Sequence, residues 1–190
     1  MKKNVRHPLV ILLIICISVV IGLFASDIWN LIDHKTHPED YSDLVEKYSA
    51  EYNIPDYVIY AVIKVESNFD ASASSGEAHG LMQLTPATYK WITGDDHLGE
   101  DLPLTRIYDP DVNIRYGCYY LKYLLMRFNY NWDTAFAAYN GGEGNVSKWM
   151  GDDGKLTINE IPLEYIETSS YVIKVNFRAE RYKKLYALQQ

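Results

Sequence analysis

The sequence predicts an all-α protein that consists of one globular domain behind an N-terminal transmembrane helix. Three observations predict this fold class. Residues 9–25 form an uncharged apolar run, and apolar residues recur at helical spacing through most of the remaining chain. No convincing β-hairpin signal is present, and a small hairpin around 94–104 is the one alternative to the all-α prediction. The 190 residues fit one domain with an appendage.

The apolar run LVILLIICISVVIGLFA would span about 25 Å as a helix, near the lower limit for crossing a bilayer. Lys2, Lys3 and Arg6 precede it and acidic residues follow it. This asymmetry predicts a single-pass membrane protein with its N-terminus in the cytoplasm and its domain outside. A signal peptide cleaved after Ala25 is the alternative, but the bulky Leu23 near that cut favours an uncleaved anchor.

These features divide the chain into three segments. We expect a membrane anchor at 1–25, a polar linker at 26–40 and a helical domain at 41–190. His34 and His37 in the linker have a helical spacing that suits a metal, but no third ligand lies nearby in the sequence. We therefore expect a solvated linker there and no metal site.

Charge and cysteine content narrow the function classes. Three of the 18 basic residues and none of the 25 acidic residues precede residue 26, so the exported part carries 15 basic against 25 acidic residues. Such a surface repels phosphate backbones, and we expect no nucleic-acid binding. Cys118 is the only cysteine of the exported part, so the core must be held by packing, with Cys118 as a buried apolar thiol.

Apolar periodicity and cap signals predict six helices in the domain. Thr85-Pro86 and Asp109-Pro110 each combine an N-cap residue with a proline suited to the first helical turn, and Gly141-Gly142 stop the fifth helix. The predicted starts are near Leu44, Pro55, Pro86, Pro110, Trp132 and Ser169, and the predicted ends include Asn53, Trp91, Asn140 and Leu188.

Glu66 ends the second of these helices on its apolar face. It follows Ile59 by seven residues, Val62 by four and Ile63 by three, so it continues the buried stripe into the last turn. Burial and the negative end of the helix dipole both raise the pKa of a carboxyl group. A carboxylic acid that is still protonated near neutral pH can protonate a glycosidic oxygen. A surface glutamate on a frayed helix end is the alternative.

The segment after Glu66 predicts a groove. Residues 68–80 are rich in Ala, Ser and Gly, so few side chains fill the space and backbone amides can approach a ligand. Gln83 adds an amide and Met82 a soft apolar surface. Seventeen tyrosines and four tryptophans offer faces for sugar rings, although most aromatic residues of a helical domain belong to its core.

Five motifs then occur in order. They are "ES" at 66–67, "GLMQLTP" at 80–86, "DPDVNIRYGCYYL" at 109–121, "AAYNGG" at 137–142 and "IPLEYIETSSYV" at 161–172. Together they resemble the lytic transglycosylases of the soluble-lytic-transglycosylase type, a glycoside hydrolase family with a goose-lysozyme-like fold. The resemblance covers about residues 42–188 and thus makes 41–190 the expected catalytic domain.

The resemblance implies that Glu66 is the sole catalytic acid and base. It would protonate the bond between N-acetylmuramic acid (MurNAc) and N-acetylglucosamine (GlcNAc), and the substrate's own N-acetyl group would stabilise the developing positive charge. The Glu66 carboxylate would then take the proton of the MurNAc 6-hydroxyl, which attacks C1 and closes a 1,6-anhydro ring without water. This scheme differs from that of glycosidases with two carboxylates.

The resemblance also implies a set of substrate-binding residues and one structural residue. Asn113 matches the asparagine that follows "DP" and is expected to form structural hydrogen bonds. Tyr139 would lie near the catalytic acid and the sugar N-acetyl group. The implied substrate-binding residues are Ser67, Ser74, Met82, Gln83, Tyr139, Asn140, Glu167 and Tyr171.

The chain departs from the family pattern in three places. Glu77 stands at a usual glycine position before "GLMQ", where it could narrow the groove or act as a second carboxylate that allows hydrolysis. The loop is slightly short, which leaves Ser75 as the alternative to Ser74. The spacing between Pro162 and Glu167 is longer than the family's usual spacing, which bears on the assignment of Glu167 and Tyr171.

The expected partners are the glycan strands of peptidoglycan and the membrane, with no metal or organic cofactor. The expected function is a membrane-anchored lytic transglycosylase. A lysozyme-like muramidase of the same fold, a non-catalytic wall-binding module and a purely structural helical bundle are the alternatives. Retention of Glu66, Gln83 and Tyr139 argues against a binding module, because such a module does not need a buried acid.

Overall fold

The computed structural model of the chain describes residues 6–151 and 156–186. Contacts divide the chain into two units, Met1–Pro38 and Glu39–Gln190. The first unit contains helix α1, Arg6–Thr36. The second contains α2 (Ser42–Tyr52), α3 (Asp56–Glu66), α4 (Pro86–Thr93), α5 (Pro110–Arg127), α6 (Trp132–Gly141), α7 (Glu143–Trp149) and α8 (Ile166–Tyr186), with short 3-10 turns at Leu104–Tyr108, Ile158–Glu160 and Leu163–Tyr165.

Helix α1 is long and apolar enough to cross a membrane by length and composition. Its large apolar side chains from Leu9 to Phe24 are about half exposed or more. The helix continues beyond the apolar run to Thr36, so most of the segment expected to be a linker is helical. The reason lies in the sequence, because Ile28, Trp29, Leu31 and Ile32 continue the apolar character and no glycine or proline lies between Ala25 and Pro38.

The second unit is organised around α3. Its residues Val58 to Ile63 are all buried, and the helix packs most extensively against α8, which also packs against α6. Helix α5 contacts α2 on one side and α6 on the other. Cys118 of α5 is fully buried in this core, as the sequence predicts. Glu66 at the end of α3 contacts Tyr171 near the beginning of α8, and Tyr60 near the start of α3 stacks on Tyr182 near the end of α8, so the two helices pack antiparallel.

The N-cap signals are confirmed. The Thr85 hydroxyl accepts a hydrogen bond from the Thr88 amide at 3.1 Å, and the Asp109 carboxylate accepts one from the Asp111 amide at 3.0 Å. Pro86 and Pro110 occupy the first turns of α4 and α5. Each cap satisfies an amide that the first helical turn leaves without a backbone partner.

Three predicted details of the fold are wrong. The six predicted helices do not include α7, which begins at Glu143 directly after Gly142. Helix α8 begins at Ile166, three residues before the predicted start, and its predicted end at Leu188 lies outside the described residues. The short α4 continues two residues past Trp91 to Thr93.

Within the described residues there is no strand, and segment 94–104 forms turns and irregular backbone instead of a hairpin. Two isolated antiparallel bridges join Ser74 to His79 and His79 to Leu84. A second, smaller apolar cluster lies beneath α4 and contains Leu84, Tyr89, Ile92, Ile107, Val112 and Tyr116. This cluster and the bridges hold the long loop between α3 and α4 in place.

Candidate active site

Glu66 is the last residue of α3 and is partly buried. The Tyr171 hydroxyl on α8 donates a hydrogen bond of 2.7 Å to its Oε1 atom. Burial raises the pKa of the Glu66 carboxyl to about 7, and the Tyr171 hydrogen bond opposes this shift without cancelling it. The direction that the sequence predicts for this pKa is thus confirmed. The carboxyl group can hold its proton near neutral pH and release it to a good acceptor.

Glu66 opens into a cleft of about 440 Å³. The end of α3, the loop before α4, the end of α6 and the first turns of α8 form the walls. The lining residues are Val65, Glu66, Ser75, Glu77, Ala78, Gln83, Thr85, Tyr139, Asn140, Glu167, Tyr171 and Lys174. The cleft is large enough for one or two sugar rings and is mostly polar, which suits a hydroxylated ligand.

Asn113 on α5 fixes the conformation of the loop. Its Oδ1 accepts a hydrogen bond from the Met82 amide at 2.7 Å, and its Nδ2 donates to the carbonyl oxygens of His79 at 3.0 Å and Ile107 at 2.6 Å. The loop lies so close to Asn113 that a Cβ atom at position 80 would be 2.3 Å from the Asn113 Nδ2 atom. Gly80 also has a φ of +79°, so both the space and the backbone conformation require glycine there. Asn113 therefore has the structural role that the resemblance implies.

Gln83 lines the cleft from a strained backbone position with a φ of +46°. Its Nε2 donates to the carbonyl oxygens of Gly80 at 2.8 Å and Ala73 at 3.1 Å. These two bonds orient the side-chain amide across the loop. A non-glycine residue in the left-handed region costs free energy, and such positions are frequent at binding sites.

Met82 lies beneath the cleft and not in its wall. Its side chain is fully buried, and a Cβ atom at Gly117 of α5 would lie 2.3 Å from its sulfur. Its carbonyl oxygen accepts a hydrogen bond of 2.8 Å from the Tyr139 hydroxyl. Met82 thus connects the loop to α5 by packing and to α6 by a hydrogen bond, and a direct substrate contact for its side chain stays a prediction.

Two predicted serines also lie outside the cleft wall. The Ser67 hydroxyl donates to the carbonyl oxygen of Leu81 at 2.8 Å, which ties the end of α3 to the loop. The Ser74 hydroxyl is 3.0 Å from Nδ1 of His79, whereas Ser75 is the serine that lines the cleft. The structure therefore places Ser75, the alternative to Ser74, in the wall of the cleft that also contains Glu66.

The structure does bring together the remaining predicted residues. Gln83, Tyr139, Asn140, Glu167 and Tyr171 all line the cleft with Glu66, although up to 105 residues separate them along the chain. The longer spacing before Glu167 is taken up by the 3-10 turn at Leu163–Tyr165.

Sequence analysis missed two cleft residues of chemical interest, Thr85 and Lys174. Lys174 follows Tyr171 by three residues and Glu167 by seven, so helical spacing could have placed it on the same face of α8. It is the one basic side chain among the described residues that line the cleft. Glu77 and Glu167 bring further carboxylates into the same wall. In residues 6–151 and 156–186 no three His, Cys, Asp or Glu side chains are placed to hold a metal ion.

Comparison with known proteins identifies the fold and the family. The family described as "Transglycosylase SLT domain" matches residues 43–162. The soluble lytic murein transglycosylase of Escherichia coli is 30% identical over 157 residues, which is 80% of this chain and 24% of that protein. The membrane-bound lytic murein transglycosylase C of Edwardsiella ictaluri is 26% identical over 188 residues, covering 82% of this chain and 49% of that protein.

Two solved structures have the same fold. The 70 kDa soluble lytic transglycosylase from Escherichia coli superposes with a TM-score of 0.73 at 29% identity, over 80% of this chain and 25% of that one. An inactive variant of the lytic transglycosylase Slt from Pseudomonas aeruginosa gives a TM-score of 0.70 at 33% identity, over 78% of this chain and 24% of that one. The chain thus spans about a quarter of the length of these two proteins.

The class of this protein is a helical domain of lysozyme-like fold with an open polar cleft, in which burial raises the pKa of the Glu66 carboxyl group. Within that class, the chain belongs to the transglycosylase SLT domain family. The all-α fold predicted from the sequence is confirmed by the structure and by these neighbours.

Proposed function

We propose that this protein is a peptidoglycan lytic transglycosylase that cleaves the β-1,4 bond between MurNAc and GlcNAc. The observation that carries the proposal is the Glu66 carboxyl, whose pKa burial raises to about 7 and which opens into the cleft. Family membership and the names of the relatives support the substrate class. The Pseudomonas relative described as inactive carries a glutamate-to-glutamine change, which fits an essential glutamate in this fold.

In the proposed reaction, Glu66 first acts as an acid. It donates its proton to the glycosidic oxygen, the bond from that oxygen to C1 of MurNAc breaks, and GlcNAc leaves with a free 4-hydroxyl. Tyr171 donates its hydrogen bond to Oε1 throughout, so it stabilises the carboxylate as this forms and keeps it oriented. The substrate's N-acetyl group stabilises the positive charge at C1.

Glu66 then acts as a base. Its carboxylate takes the proton of the MurNAc 6-hydroxyl while O6 bonds to C1, which closes a 1,6-anhydro ring and restores the protonated acid. Atoms balance without water. One residue can perform both steps because a carboxyl group with a pKa near 7 is a usable acid and a usable base at the same pH.

Muramidase activity is the second candidate, and Glu77 favours it. Glu77 lines the same cleft as Glu66, so it could activate a water molecule for attack on C1. Digestion of purified peptidoglycan by the full chain, followed by mass spectrometry, separates the two functions. Anhydromuropeptides that disappear in Glu66→Gln and persist in Glu77→Gln support the transglycosylase. Reducing-end products that need Glu77 would establish the muramidase, and no products from any of the proteins would favour a wall-binding module.

We further propose that α1 anchors the protein in the membrane by a single pass, with the catalytic domain outside the cytoplasm. The length and apolar surface of α1 and the similarity to membrane-bound relatives support this proposal. Intact mass spectrometry of the protein extracted from membranes tests it. A mass that includes Met1 supports the anchor, and a chain that starts after Ala25 would show a cleaved signal peptide. Protease added to spheroplasts should remove the domain if it faces outward.

A further inference from the structure

One side of α8 carries large apolar side chains that do not enter the core. Ile166, Ile173 and Phe177 are each more than half exposed, and Lys184 is exposed as well. These four residues follow one another at intervals of seven, four and seven positions, so their side chains leave the helix in the same direction. We call this row of four residues the outer face of α8. The opposite side of the helix is buried through Val172, Val175, Ala179 and Tyr182.

Basic residues are concentrated in the same helix. Residues 173–186 contain five of the 15 basic residues that follow Ala25, but only Glu180 of the 25 acidic residues. The rest of segment 26–190 holds 10 basic and 24 acidic residues, so α8 is a basic strip on an acidic domain. Apolar and basic side chains that share the exposed side of a helix are typical of helices that lie on an anionic lipid surface.

The chain enters the domain beside the last turns of α8. Glu39, the first residue of the second unit, lines a hollow together with Tyr182 and Lys183. Only residues 33–38 separate Glu39 from Ile32, the last apolar residue of α1. The seven residue steps from Ile32 to Glu39 reach at most about 25 Å. A domain that is anchored by α1 can therefore bring this end of α8 to the bilayer surface.

The composition of the outer face favours a lipid surface over other occupants. A soluble polyanion would attract the basic side chains but would leave Ile173 and Phe177 in water. A bilayer satisfies both groups, because its phosphate groups attract the basic side chains and its acyl boundary receives the apolar ones. A second copy of this chain would bring two basic strips together, which like-charge repulsion disfavours.

We propose that the outer face of α8 docks on the anionic phospholipid surface of the membrane in which α1 is anchored. The proposal rests on the anchoring of α1 proposed above. Glu167, Tyr171 and Lys174 of α8 line the cleft from one flank of the outer face, so docking holds the cleft close to the bilayer. The docked domain thereby acts on glycan strands that lie next to the membrane.

Fluorescence quenching of the full-length protein in lipid vesicles tests the proposal. Phe177→Cys carries an environment-sensitive nitrobenzoxadiazole probe in a Cys16→Ala background, in which the remaining Cys118 is buried and inaccessible to the label. Met126→Cys on α5 is the matched control, because Met126 is an apolar residue that is exposed to a similar fraction. Lipids with a nitroxide near the head group should quench the probe at position 177 about threefold more strongly than the probe at position 126.

The dependence on charge gives a second readout. Quenching at position 177 should be stronger in vesicles of phosphatidylcholine and phosphatidylglycerol than in phosphatidylcholine alone, and high salt should weaken it. Lys184→Gln should lower the equilibrium constant for docking by about fivefold, because it removes one positive charge from the outer face. Lys90→Gln, which removes an exposed lysine of α4, should leave this constant unchanged.

Flotation of the vesicles separates this proposal from the proposed anchor. Protein that floats and shows stronger quenching at position 177, dependent on phosphatidylglycerol and on Lys184, supports the docking of the outer face. Protein that floats but is quenched equally at both positions, or without dependence on phosphatidylglycerol, overturns the docking and leaves the anchor and the catalytic proposal intact. A probe at position 177 that is shielded from water but not quenched by the lipids also overturns it and assigns the outer face to a protein partner. Protein that does not float contradicts the anchor, and the docking with it.

Discussion

The Tyr171 hydroxyl donates a 2.7 Å hydrogen bond to Oε1 of Glu66, across 105 residues of sequence. The bond joins the last residue of α3 to the first turns of α8, the helix pair with the most extensive packing in the domain. Burial raises the pKa of Glu66 and the bond lowers it, so the two effects together set the value of about 7. The packing of α3 against α8 is thus the physical basis of the raised pKa of Glu66.

The pH dependence of cleavage should follow the protonation of Glu66. Only the protonated form can donate to the glycosidic oxygen, so kcat/KM should be level below about pH 7 and fall about tenfold per pH unit above it. Rates of peptidoglycan solubilisation from about pH 3.5 to about pH 9 check this. A break at the ordinary glutamate pKa near 4.5 would mean that Glu66 is not desolvated in the working enzyme.

Tyr171→Phe removes the one hydrogen bond that lowers the pKa of Glu66. The pKa should therefore rise, and the break in the pH profile should move to higher pH. The pH-independent value of kcat/KM on the acidic side of the break should fall by about tenfold, because the carboxylate formed during proton transfer loses a charge-assisted hydrogen bond. Tyr139→Phe is the control, since the Tyr139 hydroxyl donates to the Met82 carbonyl instead. An equal shift of the break in both variants would contradict the assigned role.

Glu66→Gln should stabilise the fold at alkaline pH. The folded protein holds the Glu66 proton up to about pH 7, whereas the unfolded chain releases it near 4.5, so stability falls as pH rises through this window. Above pH 7 the ionised carboxyl group lowers the free energy of unfolding by on the order of 3 kcal/mol, and the substitution removes this loss. Glutamine still offers an oxygen that accepts the Tyr171 hydrogen bond. Chemical denaturation at pH 4 and pH 8 measures the difference. The stability gain must be larger at pH 8; a gain independent of pH would reject the linkage.

Gly117→Ala should destabilise the loop that carries Met82 and Gln83. The added Cβ atom would lie 2.3 Å from the Met82 sulfur and 2.8 Å from its Cβ and Cε, within a fully buried contact. We expect a loss of about 1–3 kcal/mol in the free energy of unfolding and a raised KM, because Met82 positions the loop from beneath. Gly144→Ala, where a Cβ atom meets nothing within 4 Å, is the matched control.

Lys174→Gln should weaken binding of intact peptidoglycan. Lys174 brings a positive charge to a wall that also contains the carboxyl groups of Glu66, Glu77 and Glu167, and muropeptides are anionic. KM should rise about threefold at low salt, with kcat unchanged, and the effect should shrink as salt is added. Lys184→Gln, an exposed lysine further along α8, controls for net charge. Equal effects of both substitutions would remove Lys174 from substrate binding.

Sequence periodicity predicted most of the fold because the signals were local. The Thr85-Pro86 and Asp109-Pro110 caps start α4 and α5 where expected, since each cap needs only its own first turn. Helix α7 was missed because Gly142 ends α6 at a φ of +84° and the same residue begins the next helix. A glycine pair in the sequence indicates the end of a helix, but the formation of α7 directly after it depends on the tertiary packing of Val146, which is fully buried.

The position and raised pKa of Glu66 were predictable from its place on the apolar stripe of α3. The orientation of the loop side chains was not, because hydrogen bonds to distant groups decide it. Ser67 bonds to Leu81 and Ser74 to His79, and neither preference is encoded in local spacing. The Tyr171 contact to Glu66 required the packing of α8 on α3, and only the family resemblance brought Tyr171 into the predicted site.

The most direct test of the central claim is a digestion of peptidoglycan in water enriched with oxygen-18. If Glu66 alone acts as acid and base, the MurNAc 6-hydroxyl attacks C1 and forms the 1,6-anhydro ring. Mass spectrometry then finds anhydro ends without oxygen-18. Oxygen-18 in new reducing MurNAc ends would show that water is the nucleophile. That result would contradict the transglycosylase account and would assign the cleft, with Glu77 in its wall, to a muramidase.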